Sequence, residues 1–179
     1  MKSKKSKTVF SLILLGIMVL SFVSQSHAQN SKIKKVLIHL TTNIKKEDGP
    51  PCVAFDIALA NIEIGNQVAF VFDSEAAWNL KKDKSGKNDF DRYPVPDDLK
   101  KIVNEQLNDL AILKLKNFGE FLSFLNKKGV KIYINGTWNL LTGVEKNVRG
   151  KTRIPDYIIP LDLKEFVNTI NKTEVYYKY

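Results

Sequence analysis

Cys52 is the only cysteine in the chain and the residue best suited to nucleophilic chemistry. It follows Pro50 and Pro51, which favour the first positions of a helix because proline has no N–H group to leave unpaired. A thiol in the first turn of a helix lies among free N–H groups, and these stabilise its thiolate form. Asp48 and Asp56 oppose this, because their charges repel a thiolate. The sequence therefore leaves both a reactive thiol and an inert, packed cysteine open.

The pattern of the helix that carries Cys52 predicts on which side the thiol lies. Cys52, Asp56 and Glu63 share one helical stripe. We expect this stripe to be exposed, because it lies opposite three apolar residues, Val53, Ile57 and Ile64. The sequence thus predicts a solvent-accessible thiol at the mouth of a cleft.

Polar and aromatic residues also follow the predicted strands directly. In a parallel sheet, ligands bind beyond the carboxyl ends of the strands. Asp73 has the alternative role of capping the next helix, and Trp138 that of packing against a neighbouring subunit. The sequence predicts a strand-end cleft lined by Thr42, Cys52, Asp73, Asn135, Gly136 and Trp138.

Motifs for a cofactor or a metal ion are lacking in the sequence. Neither GxxxxGK[ST] nor GxGxxG is present, and no GxSxG nucleophile motif occurs. His39 lies within an apolar run, which favours a hydrogen-bonded core residue. The residues available as metal ligands, which are His39, Cys52 and carboxylates, show no ligand spacing. We therefore expect no cofactor and no metal.

The amino terminus has the pattern of a cleavable signal peptide. A basic segment precedes the apolar run Val9–Val23, and Ser26 and Ala28 place small residues before Gln29. The alternative is an uncleaved membrane anchor, which the run disfavours because it is short for a membrane span of about 20 apolar residues. We expect cleavage after Ala28, export to the periplasm or the medium, and no membrane span in the mature chain, residues 29–179.

The basic charge of the chain is partly that of this segment. Removing its four lysines lowers the formal net charge from +9 to +5. The remaining lysines include four pairs near the ends of predicted elements, which is typical of solvated surface. They show no clustering with aromatic residues on one face, so we expect no nucleic-acid partner. The four pairs are Lys45-Lys46, Lys81-Lys82, Lys100-Lys101 and Lys127-Lys128.

Strand and helix patterns alternate along residues 29–179. Continuous apolar runs predict strands that are buried on both faces, and Gly65 and Gly129 mark the ends of helices. This order predicts a single three-layer α/β/α domain with a mainly parallel sheet of about five strands. The predicted strands are residues 36–41, 67–72, 130–134, 157–161 and 174–177.

The layout resembles the DsrE/DsrF-like sulfur-relay family over most of residues 34–178. The similar features are the first strand Lys35–Thr41, the Ala-rich helix from Ala54 to Gly65, the strand Val68–Phe72 with Asp73, the helix–Gly129–strand unit through Ile134, and the segment Asn135-Gly136-Thr137-Trp138. The resemblance implies a three-layer α/β/α domain and a trimer or hexamer. Several family members carry persulfide sulfur on a cysteine after the third strand. Here Trp138 has that position, and an indole cannot hold a persulfide.

These observations favour a binding protein over an enzyme. Our first hypothesis is an exported DsrE-like domain that binds a small molecule or a partner protein in the strand-end cleft. One alternative is an exported thiol or sulfur-carrier protein that uses Cys52. A second alternative is a purely oligomeric interaction subunit, and we expect a homo-oligomer in each case.

Overall fold

The computed structural model describes residues 32–179. The predicted signal peptide, residues 1–28, lies outside the described residues. Five strands form one sheet, in the spatial order β4-β3-β2-β1-β5, and every neighbouring pair is parallel. The strands are β1 (Lys35–Leu40), β2 (Gln67–Phe72), β3 (Lys131–Asn135), β4 (Ile159–Leu161) and β5 (Val175–Lys178).

Helical segments connect the strands. The α-helices are α1 (Gly49–Glu63), α2 (Asp97–Leu107), α3 (Phe118–Lys127), α4 (Gly136–Leu141) and α5 (Leu163–Asn171), and two 3-10 helices cover Ser74–Leu80 and Ile112–Lys114. Local capping explains the start of α3, where the side chain of Asn117 accepts a hydrogen bond from the N–H of Glu120. The predicted single helix over residues 99–113 is divided, because Asn108 adopts a left-handed conformation with φ 53° and ends α2.

The main core lies between the sheet and helices α1 and α3. Alternate strand residues such as Val36, Phe70 and Ile132 point to this face and are buried. Phe55 of α1 is at its centre, with its ring centroid 5.1–5.5 Å from those of four other phenylalanines. Edge-to-face packing of this kind adds to the stabilisation that burial provides. The four rings are Phe70, Phe90, Phe118 and Phe121.

Helix α5 lies on the opposite face of the sheet. The chain passes from β1 to β4 in one direction and then returns across the sheet to β5, so right-handed connections place α5 opposite α1 and α3. Phe166 of α5 contacts His39 of β1, with ring centroids 5.7 Å apart. Leu163 and Val167 on the same helix are exposed. The predicted fold class, a parallel five-stranded sheet with helices on both faces, is confirmed.

The predicted orientation of α1 is wrong. Val53 is 46% exposed and Ile64 is 69% exposed, whereas the side of α1 that contains Ala54, Phe55 and Ala58 is fully buried. Small residues around one large aromatic ring allow the helix axis to approach the sheet closely. This fit to the sheet therefore decides which side of α1 is buried. The apolar stripe from which the orientation was predicted, which includes Val53 and Ile64, lies partly in solvent.

Candidate functional site

Asp73, directly after β2, is the centre of a hydrogen-bonded network at the carboxyl ends of the strands. Its Oδ2 atom lies 3.0 Å from Nε2 of His39, and its Oδ1 atom accepts hydrogen bonds from the N–H of Ser74 at 2.7 Å and from Nδ2 of Asn135 at 2.9 Å. Burial alone would raise the pKa of Asp73, but these hydrogen bonds outweigh it and hold the pKa below its usual range. Asp73 is therefore a fixed anion.

His39 extends the network from Asp73 to β5. It is 6% exposed, and its Nδ1 atom contacts the hydroxyl group of Tyr176. Because Nε2 faces a carboxylate, we assign the ring proton to Nε2, so Nδ1 accepts the hydrogen bond from the phenol. Burial, followed by the charge of Asp73, raises the pKa of Tyr176, which keeps this donor protonated. We call Tyr176, His39, Asp73 and Asn135 the strand-end network; it joins β5, β1, β2 and β3.

A basic cleft of about 460 Å³ opens beside the ends of β1 and β2. Asn43 in its wall follows β1, and Trp78 lies in the 3-10 helix that follows β2. Parallel α/β proteins bind ligands at this position, beyond the carboxyl ends of the strands. The other residues that line the basic cleft are charged: Lys45, Lys46, Lys81, Lys82, Asp83, Asp89, Arg92 and Arg153.

Six of these charged residues are cationic and two are anionic. Lys45 pairs with Asp89 at 2.7 Å, and Arg92 pairs with Asp83. Lys46 uses a carboxylate outside the cleft, that of Glu75, at 2.6 Å. Within residues 32–179, no carboxylate lies within 4.0 Å of the charged groups of the other three cations, Lys81, Lys82 and Arg153. The cleft therefore has an excess of positive charge.

Trp78 gives the basic cleft a flat, apolar wall. Its Nε1–H group donates a hydrogen bond to the main-chain oxygen of Thr142 at 2.8 Å, which fixes the orientation of the indole ring. The side chain is nevertheless 40% exposed. A fixed and accessible indole can stack on a planar group or on a cation.

The residues predicted from the sequence for the strand-end cleft lie in several places. Asp73 and Asn135 are joined by a hydrogen bond. The main-chain oxygen of Thr42 accepts a hydrogen bond from Asn79, and Trp138 lies on α4, 36% exposed. None of these is among the lining residues of the basic cleft; Thr42 comes nearest in sequence, beside Asn43.

Gly136 is buried at the start of α4, and its role is steric. A Cβ atom at this position would lie 2.5 Å from the main-chain oxygen of Val148 and 2.7 Å from that of Leu161. Contacts this short do not occur in folded proteins, so the backbone can approach here only because the residue is glycine. Gly136 thus allows the segment after β3 to pack against the segments around Val148 and β4.

Cys52 is half-buried in α1 and packs against the main core. Burial is the main cause that raises the pKa of its thiol, and the charges of Asp48 and Asp56 raise it further, to about 11. The thiol is therefore protonated at neutral pH. The packed, inert cysteine agrees better with this environment than a reactive thiolate does.

Sequence reasoning missed the basic cleft, although two of its signals were visible. The pairs Lys45-Lys46 and Lys81-Lys82 each follow a strand, β1 and β2, and these strands are neighbours in the sheet. Each pair alone is typical of solvated surface. The adjacency of the two strands is what brings the four lysines to one cleft.

Residues 32–179 contain neither a candidate metal site nor a candidate membrane-spanning helix. No group of three or more histidine, cysteine, aspartate or glutamate residues in this range has the arrangement of a metal site. In the same range, none of the helices combines the length and the apolar character that a membrane span requires.

Comparison with known proteins gives a structural neighbour but no family assignment. No family model matches the chain, and no curated protein matches it in sequence. Among solved structures, the chain is similar to the YchN protein of E. coli, which has the DsrE/DsrF-like fold. The TM-score is 0.52 at 13% sequence identity, and the match covers 82% of this chain and 99% of the other. This likeness supports the predicted fold.

Proposed function

We propose that this chain is an exported domain of DsrE-like fold that binds a small anionic ligand in the basic cleft. The observation that carries the proposal is the excess of positive charge in a concave site at the ends of β1 and β2. Such a site attracts anions because three of its cations, Lys81, Lys82 and Arg153, are not neutralised by neighbouring carboxylates. Its volume of about 460 Å³ suits a small organic molecule.

Trp78 adds a requirement for shape to this requirement for charge. A ligand with a planar ring and an anionic group would stack on the indole while the anion contacts Lys81, Lys82 or Arg153. We therefore propose a ring-containing anion, such as a phosphorylated or carboxylated aromatic compound, as the class of ligand.

A binding role is favoured over a thiol-based reaction by two features. The thiol of Cys52 has a pKa of about 11, which leaves little nucleophilic thiolate at neutral pH. Trp138 has the position at which the resemblance to sulfur-relay proteins would require a cysteine. Both features argue against sulfur transfer by this chain.

Fluorescence of Trp78 offers a direct test of the proposed function. The chain has two tryptophans, so a Trp138→Phe variant leaves Trp78 as the reporter. We expect AMP, which combines a planar adenine ring with a phosphate dianion, to quench this fluorescence with a saturable curve. Adenosine has the same ring without the charge and should bind at least about tenfold more weakly. Equal binding of AMP and adenosine, or no saturable quenching by either, would contradict the proposal.

Matched variants locate the binding of AMP in the basic cleft. We expect Lys82→Gln and Arg153→Gln each to weaken AMP binding by about three- to tenfold, because each removes a cation that lacks a carboxylate partner. Lys101→Gln is the control, since Lys101 lies on α2 outside the cleft. An effect of the control as large as that of the cleft variants would indicate unspecific attraction.

Export is tested separately from binding. We propose that the mature protein begins at Gln29, on the pattern of residues 1–28. Amino-terminal sequencing of protein recovered from outside the cytoplasm should give Gln29 as the first residue. A chain that still begins at Met1 in that fraction would contradict cleavage.

The exposed apolar side chains of α4 favour a second candidate function, that of an oligomeric interaction subunit. Trp138 is 36% exposed, Leu140 41% and Leu141 68%, all within six residues. A concentrated apolar patch of this kind is typical of a surface that packs against a partner. A second copy of the chain is the partner that we propose.

A further inference from the structure

A second basic cavity lies at the amino ends of the strands, opposite the end that carries the basic cleft, and we infer that it is a separate binding site for a phosphate monoester. We call this cavity the amino-end groove. It has a volume of about 590 Å³ and lies beside the amino ends of β1, β2 and β3, with the last turn of α5 on one side. The lining residues that carry the argument are Lys35, Lys128, Lys131, Lys172, Gln67 and Tyr133.

Strand alternation brings the lysines of the sheet into this groove. Val36 and Ile132 belong to the main core, so their neighbours Lys35 and Lys131 lie on the other face, the face of α5. Lys35 is paired in register with Gln67, and Lys131 with Ala69. The small side chain of Ala69 leaves room between the two lysines. Lys172, directly after α5, completes the cationic wall.

The charge in the amino-end groove is positive and only partly neutralised. No aspartate or glutamate is among its lining residues. Lys128 is neutralised from outside, by Glu63 at 2.8 Å and Asp109 at 2.9 Å. Across residues 32–179, no ion pair involves Lys35, Lys131 or Lys172. Glu174 lies near Lys35, where its carboxylate accepts a hydrogen bond from the main-chain N–H.

Tyr133 adds a neutral donor to these three cations. Its side chain lines the groove, and no residue in the described part of the chain is hydrogen-bonded to its hydroxyl group. Burial raises the pKa of Tyr133, so the phenol keeps its proton. The hydroxyl groups of Thr169 and Thr173 already donate to carbonyl oxygens one turn earlier, at 2.8 and 2.9 Å. Tyr133 is therefore a donor available to a ligand.

The chemistry of the groove favours a compact ligand with at least two negative charges. Three lysine ammonium groups and one phenol match the charge and the oxygen acceptors of a phosphate monoester. Ala69 and Val130 provide apolar surface for a short organic part. Tyr133 is the aromatic residue of this groove, and we assign its hydroxyl group to the phosphate oxygens. The fixed indole of Trp78 belongs to the basic cleft, and this separates the ligand expected in the groove from the ring-containing anion of the cleft.

The test is a titration of the purified protein with glycerol 3-phosphate, followed by ¹H–¹⁵N NMR. We expect saturable shifts at Lys131, Tyr133 and Thr169, and glycerol should cause none. Saturable shifts confined to the surroundings of Trp78 would overturn the amino-end site and leave the proposed function intact. Shifts that grow without saturation at lysines over the whole surface would also overturn it.

Charge-removal variants provide the second arm. The double variant Lys131→Gln/Lys172→Gln should weaken the binding of glycerol 3-phosphate by at least about tenfold, with an unchanged thermal midpoint. Lys127→Gln, an exposed lysine of α3 outside the groove, should bind as the wild type does. AMP quenching of Trp78 should be unaffected by the double variant. Unchanged glycerol 3-phosphate binding in the folded double variant would refute the inference.

Phosphate monoesters also occur as lipid headgroups, and a third arm separates the two sources. Vesicles of phosphatidylcholine with phosphatidic acid present the same headgroup in a membrane. If the natural ligand is free, the protein should bind glycerol 3-phosphate but should not sediment with these vesicles. If it sediments with them, and Lys131→Gln/Lys172→Gln abolishes this, the site takes a lipid headgroup.

Discussion

Asp56 is a carboxylate that the fold destabilises, and its replacement should stabilise the protein at neutral and basic pH. It lies in α1, and its Oδ1 atom is buried without a hydrogen-bond partner. Burial raises its pKa from 3.8 to about 7. Between these two values the unfolded chain ionises Asp56 while the folded chain keeps it protonated. The destabilising effect of Asp56 is therefore absent below pH 3.8 and grows as the pH rises toward about 7.

The size of this effect follows from the difference between the two pKa values. At about 1.4 kcal/mol per pKa unit, the rise from 3.8 to about 7 corresponds to about 4 kcal/mol. Asp56 is only partly buried, so screening by solvent reduces the penalty. We therefore expect Asp56→Asn to raise the free energy of unfolding by about 1–2 kcal/mol at pH 8. At pH 4 the variant and the wild type should agree within about 0.5 kcal/mol.

Urea denaturation followed by circular dichroism at pH 4, 6 and 8 measures this difference. Other titrating groups, including Asp73, are common to both proteins, so they cancel in the comparison. Asp156→Asn is the matched control, because Asp156 is exposed, and its effect should not vary with pH. A pH-independent effect of Asp56→Asn, or destabilisation at pH 8, would refute the reasoning from burial.

Four further predictions concern the thiol, the strand-end network, the glycine contact and the assembly. Cys52, with a pKa of about 11, should react with iodoacetamide at pH 8 on the order of a hundredfold more slowly in folded than in denatured protein; equal rates would show an accessible thiol. Asp73→Asn should cost about 2–4 kcal/mol at pH 7 in urea denaturation. Because the pKa of Asp73 is lowered, this cost should shrink as the pH falls below about 4, and a constant cost would contradict its ionisation. Gly136→Ala should lower the free energy of unfolding by about 1–3 kcal/mol, measured the same way, and a neutral effect would mean that the neighbouring backbone can move. Light scattering should show an oligomer that Leu141→Glu dissociates; a wild-type monomer at micromolar concentration would refute this.

The fold could be predicted from the sequence because its signals are local. The strand over residues 67–72 has the predicted bounds, since a continuous apolar run lies between Gly65 and Asp73. Asn117 and Gly129 mark the ends of α3 as predicted, through a side-chain cap and a positive φ of 98°. Alternation of such elements implies a parallel sheet without any knowledge of contacts.

The contacts within the site could not be predicted, because they depend on the order of the strands. His39 and Tyr176 are 137 residues apart and meet only because β5 lies beside β1. No periodicity in the sequence reports this placement. The orientation of α1 failed for a related reason: the fit of Phe55 among distant rings decides which side of the helix is buried.

The two outer strands restrict how copies of this domain can associate. β4 has only three residues, and Pro160 at its centre has no N–H group to offer a further strand. β5 has four residues and ends at Lys178, which is exposed. Short edges that contain proline or lysine resist edge-to-edge aggregation and amyloid-like growth. We therefore expect an assembly of this domain to be built through side chains, such as those of α4, and mutations on that helix to change its stoichiometry without causing fibres.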